Sequence, residues 1–290
     1  MAKKDKAAGA SGGASGSVRD ALRVTADGPA SVPTDATPVG PTSKAEAAER
    51  LASIGTELHD LQEALYAESA RSVLLVLQGM DTSGKGGTIE HVVGLMNPQG
   101  VRIASFKAPT KAELRHDFLW RVRRQLPVAG QIGVFDRSHY EDVLVVRVNE
   151  LVAEDVWRDR YEQINEFEAE VAAAGATVVK CFLHISADEQ KERLLARLDD
   201  PAKQWKYNPG DVDVRTRWSA YQQAYADALT SCHTDIAPWY VIPADRKWYR
   251  NWAVASLLLE TLRELAPVVP GPTYDVTAER ARLTEADPIS

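Results

Sequence analysis

The run Val73-Leu74-Leu75-Val76-Leu77 is apolar at every position and leads, through Gln78, straight into Gly79-Met80-Asp81-Thr82-Ser83-Gly84-Lys85. An unalternating apolar run of this length marks a strand covered on both faces, the central position of a parallel sheet. The segment after it matches G-x-x-x-x-G-K, in which glycines let backbone N–H groups surround phosphate oxygens and the lysine adds positive charge. Three fixed letters recur by chance in roughly one chain in ten of this length. Placement matters more: strand before, helical pattern after, so that a helix N-terminus faces the anion. The phosphate-binding candidates in the loop and first helical turn are Gly79, Thr82, Ser83, Gly84, Gly86, Gly87 and Thr88. The Ser or Thr that usually follows the lysine and binds the metal is replaced by Gly86. Asp81, a hard oxygen ligand inside the loop, is the substitute candidate.

Further strand patterns lie at 101–106, 132–136, 177–185 and 239–243, separated by helical patterns at about 87–96, 111–126, 154–174, 187–198, 212–230 and 247–265. A helix over 45–67, capped by Ser43, precedes the first strand; Leu51, Ile54, Leu58, Leu61 and Leu65 share one face of it. Strands alternating with helices predict an α/β fold: a doubly wound, parallel, five-stranded sheet with helices on both faces. Residues 1–43, rich in Ala, Gly, Ser, Pro and Thr, read as a disordered tail. Residues 44–266 then form one domain, and 267–290 a C-terminal extension.

The second element of chemistry is Ile132-Gly133-Val134-Phe135-Asp136-Arg137, an apolar strand ending in an acid, the Walker B arrangement that places a carboxylate near a metal. A bland reading of Asp136 is a cap on the next helix. Arg137 beside it suits a phosphate clamp, since a guanidinium binds oxygens bidentately. No guanine-binding N-K-x-D or transporter L-S-G-G-Q motif occurs, which leaves a kinase as the leading class. The stretch 187–230, broken by Pro201, Pro209 and Gly210, reads as a helical hairpin; with Arg193, Arg197, Lys203 and Lys206 it could act as a lid, or be only a solvated charged hairpin. His116, His139 and Tyr140 are assigned to structure, and Trp205, Trp218, Trp248 and Trp252 to packing.

Charge separates the remaining classes. With 41 acidic and 34 basic residues the formal charge is −7, so neither nucleic acid nor an anionic membrane is the expected partner. Cations concentrate at 102–124 and 191–217, and a polyanion site must be local to them. The two cysteines, Cys181 and Cys232, suggest neither a disulfide framework nor a metal site. No secretory signal and no membrane-length apolar run are read, so a cytoplasmic setting is expected.

Taken together, Gly79 to Thr88 as GMDTSGKGGT, Phe106-Lys107-Ala108-Pro109-Thr110, His116-Asp117-Phe118-Leu119-Trp120-Arg121, Phe135 to Asp142 as FDRSHYED, Asp200 to Lys206 as DPAKQWK, and Pro243 to Tyr249 as PADRKWY resemble the polyphosphate kinase 2 family over about residues 45–265. The resemblance implies a P-loop kinase fold with a helical lid, and Mg²⁺ dependence with Mn²⁺ as a substitute. It further implies phosphoryl transfer between inorganic polyphosphate and adenine or guanine nucleotides, in a homodimer or homotetramer. Carried over by residue, it implies Asp81 and Asp136 as metal ligands. Lys85 and Arg137 would bind the transferred group, and Arg197 would reach in from the lid. Lys107, Lys111, Lys203 and Lys206 would line the polyphosphate path, with Glu141 and Asp142 near the acceptor nucleotide. Ser138 to Asp142 resemble the subgroup that accepts AMP as well as ADP, whereas Gly86-Gly87 and Asp136 resemble the ADP-only subgroup; the acceptor stays open. An ATP-dependent nucleoside monophosphate kinase is the alternative, disfavoured by Gly86 and the Lys107 region. A non-catalytic nucleotide-binding regulator is the other, disfavoured by Lys85, Asp136 and Arg137.

Overall fold

A computed structural model of the chain describes residues 16–25, 28–285 and 289. The sheet holds β1 (Ser72–Gln78), β2 (Val101–Ser105), β3 (Ile132–Asp136), β4 (Ala176–His184) and β5 (Trp239–Pro243) in the order β2-β3-β1-β4-β5, every pair parallel. β1 is central and buried along its whole length, as its sequence requires. Its register with β3 sets Leu77 against Asp136, so the P-loop and the Walker B acid leave the sheet side by side.

The helices are α1 (Val18–Leu22), α2 (Lys44–Glu68), α3 (Lys85–Val92), α4 (Trp120–Arg123), α5 (Glu141–Val148), α6 (Glu154–Ala173), α7 (Ala187–Asp199), α8 (Gly210–Thr216), α9 (Trp218–Ser231), α10 (Lys247–Leu265) and α11 (Val276–Glu285). Ser43 caps α2 as expected, its hydroxyl accepting from the Glu46 N–H. α10 buries residues on nearly every side, including Trp252, Leu258 and Leu262, because it lies between α2, α3 and the sheet. Among the described residues, no helix is long and apolar enough to cross a membrane.

Three expectations need correction. The stretch 111–126 is not one helix but a 3-10 turn at Glu113–Arg115 followed by the short α4. The Asp117 carboxylate accepts from the Leu119 N–H, and Arg121 donates to the Lys107 carbonyl, side-chain bonds that fold the segment into turns. The helix expected over 212–230 breaks at Arg217 into α8 and α9; Arg217 donates to Asn149 and to the Val148 carbonyl. Residues 16–25 and 28–43 of the tail read as disordered are instead packed on the domain. Val18 and Leu22 are buried, and the Glu260 carboxylate of α10 caps α1 by accepting from Ser17 Oγ and the Val18 and Arg19 N–H groups. Residues 1–15 lie outside the described residues.

Candidate active site

Parallel strands send all their C-terminal ends to one side, and the loops there carry the chemistry. The loop between β1 and α3 curls around the position a phosphate would take. Gly84 sits at φ +110 with its α-carbon against the Arg250 guanidinium, leaving no room for a side chain. Lys85 is buried and donates to the carbonyls of Gly79 at 2.7 Å and Met80 at 3.3 Å, bridging the loop's own ends. The hydroxyls of Thr82, Ser83 and Thr88 are buried without a hydrogen-bond partner. Buried hydroxyls are ordinarily satisfied, so three orphans around one loop mark an incomplete polar site.

Behind the loop, Arg193 donates to the carbonyls of Thr82, Ser83, Ala244 and Asp245, and Arg250 donates to Ser83. Burial and the neighbouring Arg193 both act against the charge on Arg250. The negative charge of an anion in the loop would offset both. Arg193, expected as a lid cation, is thus a clamp on the P-loop backbone.

Asp81 and Arg137 face each other across the β1 and β3 ends, with Arg137 donating to Asp81 at 2.5 Å. Burial alone would raise the Asp81 carboxyl, but Lys85 and Arg137, with Arg197 farther out, outweigh it and hold the group below its ordinary range, as a carboxylate. Burial opposes the Arg137 charge; Asp81, Glu141 and Asp136 outweigh it and push its pKa up. Thr82 and Arg137 both adopt φ +63, a left-handed conformation that non-glycine residues hold only when their surroundings impose it. Asp136 stands at the β3 terminus, where the Ser105 hydroxyl donates to it at 3.4 Å. Glu141 is raised by burial, partly offset by Arg137, Lys85 and the Gln78 amide.

Two cavities border the P-loop, each at a different part of it. The first, about 770 Å³, is bordered by Thr82, Gly84 and Gly87 and takes Arg197, Lys203 and Lys206 from the lid, with Lys44, Lys247 and Arg250 from α2 and α10. The second, about 410 Å³, is bordered by Gly79, Met80 and Asp81 and closed by Arg137, Glu141 and Asp142. Phe106, Tyr221 and Tyr225 give it apolar walls, while Lys107, Arg121 and Arg160 give it cations. Asp142 is buried; desolvation raises its carboxyl, and Arg160 at 3.3 Å and Arg121 at 3.8 Å offset this.

The structure therefore gathers Asp81, Lys85, Asp136, Arg137 and Glu141 at one point, with Arg197 across from them. Lys203 and Lys206 border the first cavity, but Lys107 borders the second, away from them, and Lys111 is exposed on the loop beyond. Gly86 is exposed at the start of α3. His139 is buried against Glu168, as its structural reading expects. Trp205, expected to pack, is instead 78% exposed.

Sequence reasoning missed Lys247 and Arg250, although the run Arg246-Lys247-Trp248-Tyr249-Arg250 was a third basic stretch. It also missed Asp211, a buried lid acid 3.6 Å from Arg197. Desolvation and Asp81 raise the Asp211 carboxyl, so this acid both holds Arg197 and feels the centre. Nothing local in sequence marks it.

The donor set suits a divalent metal held mainly by substrate. Asp81 and Asp136 offer hard oxygens, and among the described residues no group of three or more His, Cys, Asp or Glu forms a protein-only cage. Mg²⁺ is held in this way, by one or two carboxylates plus phosphates and water.

Comparison with known proteins agrees with this geometry. A family model described as polyphosphate kinase 2 matches residues 41–267. An AMP/ADP-polyphosphate phosphotransferase of Meiothermus ruber is 53% identical over 79% of this chain and 86% of its own. An ADP-polyphosphate phosphotransferase of Rhodopseudomonas palustris is 43% identical over 74% and 79%. The crystal structure of polyphosphate kinase 2 from Arthrobacter aurescens superposes with a TM-score of 0.91 at 47% identity, covering 93% of this chain and 98% of that one.

Proposed function

The chain belongs to the polyphosphate kinase 2 family, and from that premise we propose that it moves the terminal phosphoryl group of inorganic polyphosphate, held in the basic cavity, onto a nucleotide held in the second. The observation that carries this reading is the position of the P-loop as the wall shared by the two cavities. A donor on one side and an acceptor on the other approach a single point, where Lys85, Asp81 and Arg137 stand. The unequal lining supports the assignment: lid and α10 cations suit a long polyanion, and the Phe106, Tyr221 and Tyr225 walls suit a base.

The reaction is an in-line displacement. A phosphate oxygen of the acceptor bonds to the terminal phosphorus as the bond to its bridging oxygen breaks, and the shortened polyphosphate leaves with that oxygen's electron pair. Lys85 and Arg137 neutralise the equatorial oxygens, Arg197 does so from the lid, and the lid excludes water. Phosphotransferases of this kind need a divalent metal; Asp81 and Asp136 would hold Mg²⁺, which would screen the charge between donor and acceptor phosphates. Glu141 and Asp142 position the acceptor through Arg137, Arg121 and Arg160. AMP and ADP are both accepted in this reading, in line with the AMP/ADP-polyphosphate phosphotransferase of Meiothermus ruber to which the chain is similar. The kinase domain spans 44–266, and a cytoplasmic setting suits its free thiols.

The test is ATP formation from long-chain polyphosphate, Mg²⁺ and either ADP or AMP, with Lys85→Ala alongside. ATP from ADP, lost in the variant, supports the proposal; ATP from AMP as sole acceptor extends it to both nucleotides. No turnover with polyphosphate sinks it.

A further inference from the structure

The basic cavity holds more than a chain of phosphates requires. Beside its cations, α2 contributes Ala47, Ala48 and Leu51 and the first turn of α10 contributes Trp248, in the same continuous space that reaches Thr82 and Gly84 of the P-loop. Inorganic polyphosphate is anionic and hydrated along its whole length and gains nothing from an aliphatic and aromatic wall. A purine ring gains from both, by stacking on the indole and by leaving water.

The local sequence has the form such a platform takes: Lys247 and Arg250 flank Trp248 in one helical turn, an aromatic set between cations. Trp248 is only partly buried; Tyr249 meets it edge-on at 5.9 Å. A second indole, Trp205, stands 78% exposed on the lid between Lys203 and Lys206, with the Lys206 ammonium 5.1 Å from its ring. The volume, about 770 Å³, lies within the ~300–1,000 Å³ typical of pockets that enclose compact organic ligands.

We propose that this cavity also accepts a nucleoside triphosphate as phosphoryl donor, with its base against Trp248 and Leu51 and its phosphates passing the lid cations to the P-loop. The inference rests on the donor assignment made above and adds a second donor class. The reaction balances without another reactant: a phosphate oxygen of AMP bonds to the γ-phosphorus of ATP, and the bond from that phosphorus to the β–γ bridging oxygen breaks. The electron pair leaves on ADP, so ATP and AMP become two ADP.

The experiment uses the full chain, freed of polyphosphate by an exopolyphosphatase that is then removed, and follows ADP formation from ATP, AMP and Mg²⁺ by chromatography. A Lys85→Ala preparation made in parallel reports any contaminating host kinase. ADP is expected from the wild type and not from that control. Trp248→Ala should lower the ATP-donor rate at least about tenfold more than the polyphosphate-donor rate, and Trp248→Phe should recover most of the difference, as stacking would. The proposal is overturned if polyphosphate is used while ATP plus AMP yields no ADP. It is equally overturned if Trp248→Ala scales both rates alike, the signature of a packing role. ATP turnover without polyphosphate turnover would strike the preceding proposal and support this one.

Discussion

Arg137 carries three constraints at once: a left-handed backbone, an ion pair with Asp81, and a place on the wall of the second cavity. Its backbone N–H donates to the Leu77 carbonyl of β1, so its conformation is held by the sheet and not by its substrate. Such preorganised charge is where transition-state stabilisation comes from. Arg137→Ala is expected to lower kcat by about 10²- to 10³-fold while changing the KM for polyphosphate far less, measured by initial rates with both substrates varied. Glu141 makes a different prediction. Burial raises its carboxyl above the ordinary 4.5, so the folded protein binds that proton more tightly than the unfolded chain does. Stability then falls as pH rises from about 4.5 through the raised value. Glu141→Gln removes the penalty. Its thermal midpoint should exceed the wild type's near neutral pH and converge with it in acid; a midpoint below the wild type's at neutral pH would show that Arg137 and Lys85 more than repay the burial.

Elements differ in how plainly the sequence announces them. β1, β3 and β5 were legible because a parallel strand buried on both faces is apolar nearly throughout, and β4 departs from this in mid-strand only at Lys180. β2, an edge strand carrying Arg102 and an exposed Ile103, has no such run and was legible from its place in the alternation of strand and helical patterns. α5 was not, since Val143-Leu144-Val145-Val146 has no helical period and valine favours strands. It is helical because α6 and α9 pack against it and Val143 and Leu144 go into the core. The catalytic candidates were legible where each borders a strand end, as Asp81, Lys85, Asp136 and Arg137 do. Arg160, Arg250 and Asp211 were not, since each reaches the site from an element far away in sequence. The N-terminal segment was misjudged because two buried side chains and one capping carboxylate are enough to hold it, and composition averages them away. Leu22, 2% exposed, should therefore cost about 2–5 kcal/mol on Leu22→Ala, read from denaturant unfolding. A loss near zero would return the segment to the status of a tail.

The whole molecule joins an acidic average to a local basic cavity. At −7 overall, the protein repels a free polyanion at long range, and on the proposed reading attracts polyphosphate at the mouth of the cavity that holds Arg197, Lys203 and Lys206. Attraction between exposed charges is screened within ~8–10 Å at moderate salt. The KM for long-chain polyphosphate should thus rise severalfold between about 0.05 and about 0.3 M KCl, with a smaller rise for the nucleotide, and the Lys203→Ala, Lys206→Ala pair should flatten the dependence. Far below that surface, the Lys180 ammonium of β4 is fully buried and gripped by Glu168 at 2.5 Å, the Cys232 carbonyl at 2.7 Å and the Tyr140 hydroxyl at 2.9 Å. Burial lowers its pKa and Glu168 opposes the fall. An amine so enclosed is invisible to acylating reagents while the sheet is closed. Under amine labelling followed by peptide mass spectrometry, surface lysines such as Lys203 should saturate early, and Lys180 should acquire its tag only as fast as the molecule opens, a clock for unfolding written into the native chain.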